Sequence, residues 1–175
     1  LDRLIRVVAA LALALMSAGS TVAAQGETGA PLTVAVFPAE LYDTSGEPRT
    51  AAGARRLASA TARLRADLDA LPGYRVVPLA ASAERLAALG HLYGCNGCEL
   101  DLARELGAEA AVVTLVHKVS TLIQEIRITV KDVATGQTRR QVAASIRGDT
   151  ERAYLNGVAW LVENRLAKAA AAEAR

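Results

Sequence analysis

The chain has 175 residues, with 20 Lys and Arg set against 18 Asp and Glu, and its only aromatic rings besides two His come from four Tyr, one Trp and one Phe. That near-neutral balance and shortage of rings exclude a single-stranded nucleic-acid platform, which needs a basic groove and stacking side chains. A chain of this size can bury one self-sufficient core, so one domain is expected.

Arg3 and Arg6 precede an apolar run from Val7 to Met16, which is followed by small residues ending in Val22-Ala23-Ala24. This charged, apolar, small-residue order is that of a secretory signal, and the run is too short to span a bilayer. Residues 1–24 are therefore expected to be cleaved on export to the periplasm, leaving no membrane span, and no Cys lies near Ala24 to carry a lipid anchor. Without Arg3, Arg6 and Asp2 the chain keeps 18 basic and 17 acidic residues, so part of its basicity belongs to the signal.

Residues 25–31 are polar and Gly-rich and read as a flexible leader. Leu32 to Phe37 is an apolar, β-branched run stopped by Pro38, which predicts a first buried strand. Ala39 to Thr50 has loop composition and leaves the carboxyl end of that strand, where open α/β sheets tend to bind ligands. Glu40, Tyr42, Asp43 and Arg49 are thus candidate binding residues, against the plainer reading of a solvated connection.

Ala51 to Leu71 predicts a long helix, with Leu57, Leu64, Leu68 and Leu71 as its apolar stripe and its arginines solvated. Pro72-Gly73 ends it, and Tyr74 to Leu79 is a second β-rich run, so the helix bridges two parallel strands. A short helix from Ser82 to Leu89, an irregular bridge and a second short helix from Glu99 to Leu106 follow. Ala110 to Val116 is apolar on both faces, as a central strand is. Leu122 to Asp132 alternates, Ala134-Thr135-Gly136 turns the chain, and Val142, Ala144 and Ile146 continue the buried face. Gly148-Asp149-Thr150 caps a last helix whose stripe is Tyr154, Val158, Leu161, Val162 and Leu166. The order β-α-β-α-α-β-β-β-α predicts an α/β (α+β) fold, a mixed five-stranded sheet with helices packed against it, over residues 32–166. The Ala-rich tail, 167–175, is expected to fray.

Cys95 and Cys98 are the only cysteines, and in an oxidising compartment a disulfide is their default state. Closing so small a loop is worth about 2 kcal/mol and shapes a turn more than it holds a fold. The alternative is a thiol-redox pair at a helix N-terminus, or a metal site that adds His91, Glu99 or His117 to the two thiolates. Glu99 stands where a c-type haem motif needs His, so covalent haem is excluded and no cofactor is expected. His117 and Lys118 end a central strand, where a histidine serves as acid or base or, more simply, as hydrogen-bonded structure. Arg127, Lys131, Arg139 and Arg147 share one side of the meander, interrupted by Glu125, and Arg127, Lys131 and Arg147 form a candidate face for an acidic partner surface, against the plainer reading of a solvated sheet face. No phosphate loop, paired catalytic carboxylates or nucleophile motif occurs, which weakens an enzymatic reading without removing it.

Several segments together, Cys95-Asn96-Gly97-Cys98-Glu99, Ala103 to Ala108, His117 to Ile123, Asp132 to Gly136 and Ile146 to Thr150, resemble an uncharacterised family of proteobacterial periplasmic proteins. The resemblance spans nearly all of the chain after the signal. Some members sit near genes for quinoprotein alcohol oxidation, which implies an accessory role in that setting. The element order is more distantly similar to the amino-terminal domain of TolB, which implies action through contacts with another periplasmic or envelope protein.

Overall fold

The computed structural model describes residues 30–168; the signal-peptide reading, most of the leader and all but the first residues of the tail lie outside them. The elements are β1 (Leu32–Val36), β2 (Glu40–Asp43), α1 (Ala51–Asp69), β3 (Tyr74–Val76), α2 (Ala83–Leu89), α3 (Cys98–Glu105), β4 (Ala110–Lys118), β5 (Ile123–Asp132), β6 (Thr138–Arg147) and α4 (Glu151–Leu161), with a π-helical turn at Val162–Leu166. Thr50 and Thr150 cap α1 and α4, their hydroxyls accepting from Gly53 and Ala153 N–H.

The strands form one mixed sheet in the order β3-β1-β4-β5-β6, with β2 also paired to β4. β3, β1 and β4 run parallel, as a helical crossover through α1 requires, and β4, β5 and β6 form an antiparallel meander. The α/β class and the helices packed on the sheet are as the sequence predicts, and the sheet has one strand more than the five expected. The addition is β2, drawn from the segment with loop composition.

Its origin is Pro38. Phe37 N–H still reaches Val112 O at 3.0 Å, but Pro38 has no N–H to continue the ladder. The chain steps out for two residues and returns to the same edge of β4, pairing Glu40 with Leu115 through Asp43 with Lys118. Helix α1 satisfies the backbone groups at the step: Ala39 N–H donates to Thr61 Oγ1 at 2.8 Å, and Arg65 donates to Val36 O through Nε at 3.0 Å and Nη2 at 2.8 Å. β1 and β2 thus act as one interrupted strand.

Helices α1 and α4 cover most of the inner face, leaving Val142 and Ala144 on β6 half-buried. There Val34, Val36, Val112, Val116, Ile126 and Ile128 meet Leu64, Leu68, Tyr154, Val158 and Leu161 in the main core. On the outer face a smaller core of Ala35, Phe37, Leu92, Leu102, Ala103, Ala111 and Val133 sits over β1 and the start of β4 only. Beyond it, Arg127, Ala143, Ser145 and Arg147 stay exposed on the meander.

Helix α4 lies so close to the sheet that a Cβ on Gly157 would come within 2.7 Å of Ile146 Cγ2 and 3.0 Å of Ile126 Cδ1. A Cβ on Gly53, in the first turn of α1, would meet its nearest atom at 3.5 Å. The same substitution therefore has opposite signs at the two places. In urea unfolding, Gly157→Ala is expected to lose about 1 kcal/mol or more through overpacking, and Gly53→Ala to gain about 0.5 kcal/mol from helix propensity.

Candidate functional site

The break at Pro38 decides what the open part of the sheet displays. The β2–β4 register puts Glu40 and Tyr42 on the same face as Leu115 and His117. The Glu40 carboxylate is turned inward: its oxygens accept from Leu92 N–H at 2.8 Å and Tyr93 N–H at 3.0 Å, and His91 Nδ1 lies 3.6 Å away. That clamp fixes Tyr93 edge-on to Tyr42, with ring centroids 6.1 Å apart. Tyr42 lies 5.1 Å from the ring of His117, and His91 lies 5.2 Å from Tyr93. His117 Nε2 is hydrogen-bonded to Thr44 Oγ1 at 2.9 Å, so it is held in structure.

Both tyrosines are nearly half exposed, Tyr42 at 45% and Tyr93 at 49%, and the ledge continues past His117 to Val119, to Leu122 at 69% and to Ile123 at 55%. Apolar and aromatic groups left in water side by side, rather than scattered singly, mark a contact surface. The basic residues expected on this side behave differently from one another: Arg139 is held by the Asp132 carboxylate. Lys131 is drawn to Glu99 at 2.5 Å, Arg127 pairs with Glu125 at 2.6 Å, and Arg147 is exposed with no ion-pair partner among the described residues. The face is therefore less cationic than its sequence suggests, and its distinguishing feature is the ledge, which periodicity did not single out.

Cys95 and Cys98 are joined by a disulfide, their Cα atoms 5.6 Å apart. Asn96 and Gly97 between them take positive φ, 51° and 112°, the left-handed geometry that Asn tolerates and Gly adopts freely. The bridge closes the turn that starts α3. Glu99 is 2% exposed, with Oε1 on Lys131 and Oε2 3.5 Å from Cys95 Sγ. Among the described residues, Cys95, Cys98 and Glu99 are the ones whose ligand atoms lie close enough to share a metal ion; His91 is turned to Glu40 and Tyr93 instead. Bonded to each other, the two sulfurs offer no thiolate. Beside this turn runs a groove of about 510 Å³ between α3 and the meander, lined by Gly97, Glu99, Leu115, Arg127, Thr129 and Gln141 among others.

The rest of the segment from Ala39 to Thr50 borders an ionic cluster centred on the buried Lys118. Asp43 Oδ1 accepts from Ser45 Oγ at 2.6 Å and Ser45 N–H at 2.9 Å, and those bonds hold its pKa below the ordinary value. Arg49 lines a cavity of about 320 Å³ together with Arg56, Lys118, Asp149 and Tyr154. Lys118 Nζ sits 2.8 Å from Glu47 and 3.4 Å from Asp149, which also holds Arg56 at 2.5 Å. The hydrogen bond that Lys118 donates to Glu47 raises its pKa against the opposing effect of burial. Burial works to raise the Asp149 carboxyl, and the hydrogen bond and charge of Arg56 override it, so its pKa lies below the ordinary value. Burial first, then the Asp149 charge, push the Tyr154 phenol up to about 12; it stays protonated and donates to Gln124 Oε1. Sequence reading singled out Lys118 and the 148–150 cap, and missed that distant Glu47, Arg56 and Asp149 converge there.

Residues 32–166 match the model of a family described as "Protein of unknown function (DUF2380)". The chain belongs to this family. No curated protein matches the chain. Among solved structures, this DUF2380 protein is similar to lipoprotein GNA1162 from Neisseria meningitidis, at 18% identity over 79% of this chain and 99% of that one, with a TM-score of 0.49. It is similar to the LpoB C-terminal domain from Escherichia coli, at 16% identity over 71% and 88% of the two chains, with a TM-score of 0.49. TolB from Acinetobacter baumannii matches at 12% identity over 80% of this chain and 29% of its own, with a TM-score of 0.44. No helix among the described residues is long and apolar enough to cross a membrane.

The ionic cluster predicts a pH signature. A carboxyl whose folded pKa is depressed stabilises the fold above the unfolded pKa, 3.8 for Asp149, and that contribution is lost as pH falls through the lower folded pKa. Asp149→Ala, which leaves the largely buried Arg56 without its carboxylate while Lys118 keeps Glu47, is expected to cost about 2 kcal/mol at pH 7. In denaturant melts from pH 7 down to pH 2.5 the gap between the two proteins is expected to hold to about pH 4 and then narrow.

Proposed function

We propose that this DUF2380 protein is a non-catalytic periplasmic accessory protein that docks the open half of its outer sheet face onto a protein of the cell envelope. One observation carries the reading: Tyr42 and Tyr93 stand exposed in edge-to-face contact, and Val119, Leu122 and Ile123 stand exposed where β4 turns into β5 at the same end of the sheet. Leaving such groups in water is unfavourable, at about 25 cal/mol per Å² of apolar surface that a partner could cover. Arg127 and Arg147 form a polar rim to the ledge. Glu40 and Asp43 shape it from behind, and Arg49 lies at its back in the cavity wall. Export through the signal sequence brings the face to its partner, and the family resemblance directs the search for that partner toward quinoprotein alcohol oxidation.

The charged groups support a contact role over a catalytic one. Glu40, Asp43, Glu99, Lys118 and Asp149 are each taken up by a hydrogen bond or ion pair that holds the fold. The Glu99 carboxylate 3.5 Å from Cys95 Sγ also opposes the thiolate that reduction of the disulfide would create, since two anions there repel. The bridge is therefore read as a turn clamp.

Two sets of variants test this. Tyr42→Ala with Tyr93→Ala, and separately Ile123→Glu, are expected to abolish capture of the envelope partner by crosslinking in cells, while stability stays within about 0.5 kcal/mol, as for exposed substitutions. Capture that survives both removes the ledge from the proposal. Cys95→Ser with Cys98→Ser is expected to leave capture intact and to lower stability by no more than about 2 kcal/mol. Loss of capture from a folded double variant would restore the thiol reading.

A further inference from the structure

The last strand of the sheet has a second, separate surface. No strand pairs with the far side of β6 among the described residues, so along Thr138–Arg147 every second residue aims its N–H and C=O into solvent. Proteins usually blunt so long an edge with charge, proline or a covering loop. Here Gln141 to Ile146 carries neither charge nor proline.

Beside that edge α4 leaves a groove of about 350 Å³, lined by Ala144, Ile146, Ala153, Gly157 and Trp160 among others. Small residues supply its floor. Its wall is Trp160, the single tryptophan of the chain, 44% exposed, with the Arg165 guanidinium 5.3 Å from the ring centroid. A strand added to β6 would send alternate side chains to the α4 side, where this groove lies. We infer that the free edge of β6 together with Trp160 is a strand-accepting site for an extended, acidic-ended segment of a partner protein.

The charges choose between a foreign segment and a second copy. Arg139 and Arg140 stand at one end of β6 and Arg147, which has no ion-pair partner among the described residues, at the other. Arg139 is already held by the Asp132 carboxylate, so antiparallel pairing of two copies about Ala143 sets Arg147 of each opposite Arg139 of the other and offers it no free carboxylate, leaving its charge unmatched. An acidic residue opposite Arg147 turns the same position into an attraction. Backbone hydrogen bonds then give affinity, the groove selects an apolar side chain and Arg147 selects the end. Arg147 borders both this edge and the ledge, and the Trp160 groove belongs to this edge alone, so the Trp160 signal separates occupancy of the edge from the docking role proposed for the ledge.

The probe is a blocked nine-residue peptide of alternating Val and Thr with a central Leu and a Glu at each end. Trp160 fluorescence reads the groove directly. With the full chain, the peptide is expected to shift the emission to the blue saturably, a Lys-ended version to bind about ten-fold more weakly or worse, and a version with two central prolines to leave the spectrum unchanged. Arg147→Glu, an exposed change, is expected to reverse the order of the Glu-ended and Lys-ended peptides in calorimetry. Equal binding of the proline version, no shift with the Glu-ended peptide at millimolar concentration, or an emission that changes with protein concentration alone would each overturn the assignment.

Discussion

Pro38 cannot donate a hydrogen bond, and much of the molecule is arranged around the interruption that follows. The β1 ladder stops at Phe37, the chain steps away from β4, and α1 takes up the freed groups through Thr61 and Arg65. Because those partners are themselves anchored in a helix packed on the main core, the step has one geometry. β2 then returns to β4 in a register that turns Tyr42 and Glu40 outward. Glu40 in turn gathers the backbone of Leu92 and Tyr93, so one missing N–H leads, through a chain of satisfied polar groups, to the position of two exposed rings.

The second constraint is unequal coverage. A mixed sheet of this width presents two apolar faces, yet the helices bury most of one face and the other only over β1 and the start of β4. Polar pairs such as Arg127 with Glu125 finish the uncovered surface over most of the meander. At the end nearest β2 they give way to Tyr42, Tyr93, Val119, Leu122 and Ile123. The ionic cluster of Lys118, Glu47, Arg56 and Asp149 lies on the opposite, inner side of the same end. It ties the 43–49 segment, the end of β4 and the start of α4 together, and so makes a firm base for the ledge above it.

Local signals were legible in the sequence and convergent ones were not. The stripe from Tyr154 to Leu166 is read at helical spacing and is buried throughout, and the Cys95–Cys98 bridge joins neighbours in the chain. β2 escaped because a four-residue strand after a proline has the composition of a loop and is held by pairing with residues some seventy positions on. Lys118 reads as the polar end of an apolar strand; only the fold brings Glu47 and Asp149 to its ammonium. The basic face was visible as Arg127, Lys131, Arg139 and Arg147 with Glu125 among them, but the strand pattern does not show that Glu99 reaches Lys131 and Asp132 holds Arg139, which partly neutralise it. The ledge lay hidden for the same reason, since its rings come from β2, the bridge before α3 and the end of β4.

The most direct measurement places a photo-crosslinking amino acid at single positions in the exported protein and reads which of them capture a partner in intact cells. Positions 93 and 123 on the ledge are expected to give the same adduct, and positions 55 and 62 on the exposed side of α1 to give none. An adduct formed from α1 and absent from the ledge would contradict the claim that the uncovered half of the sheet is the working surface.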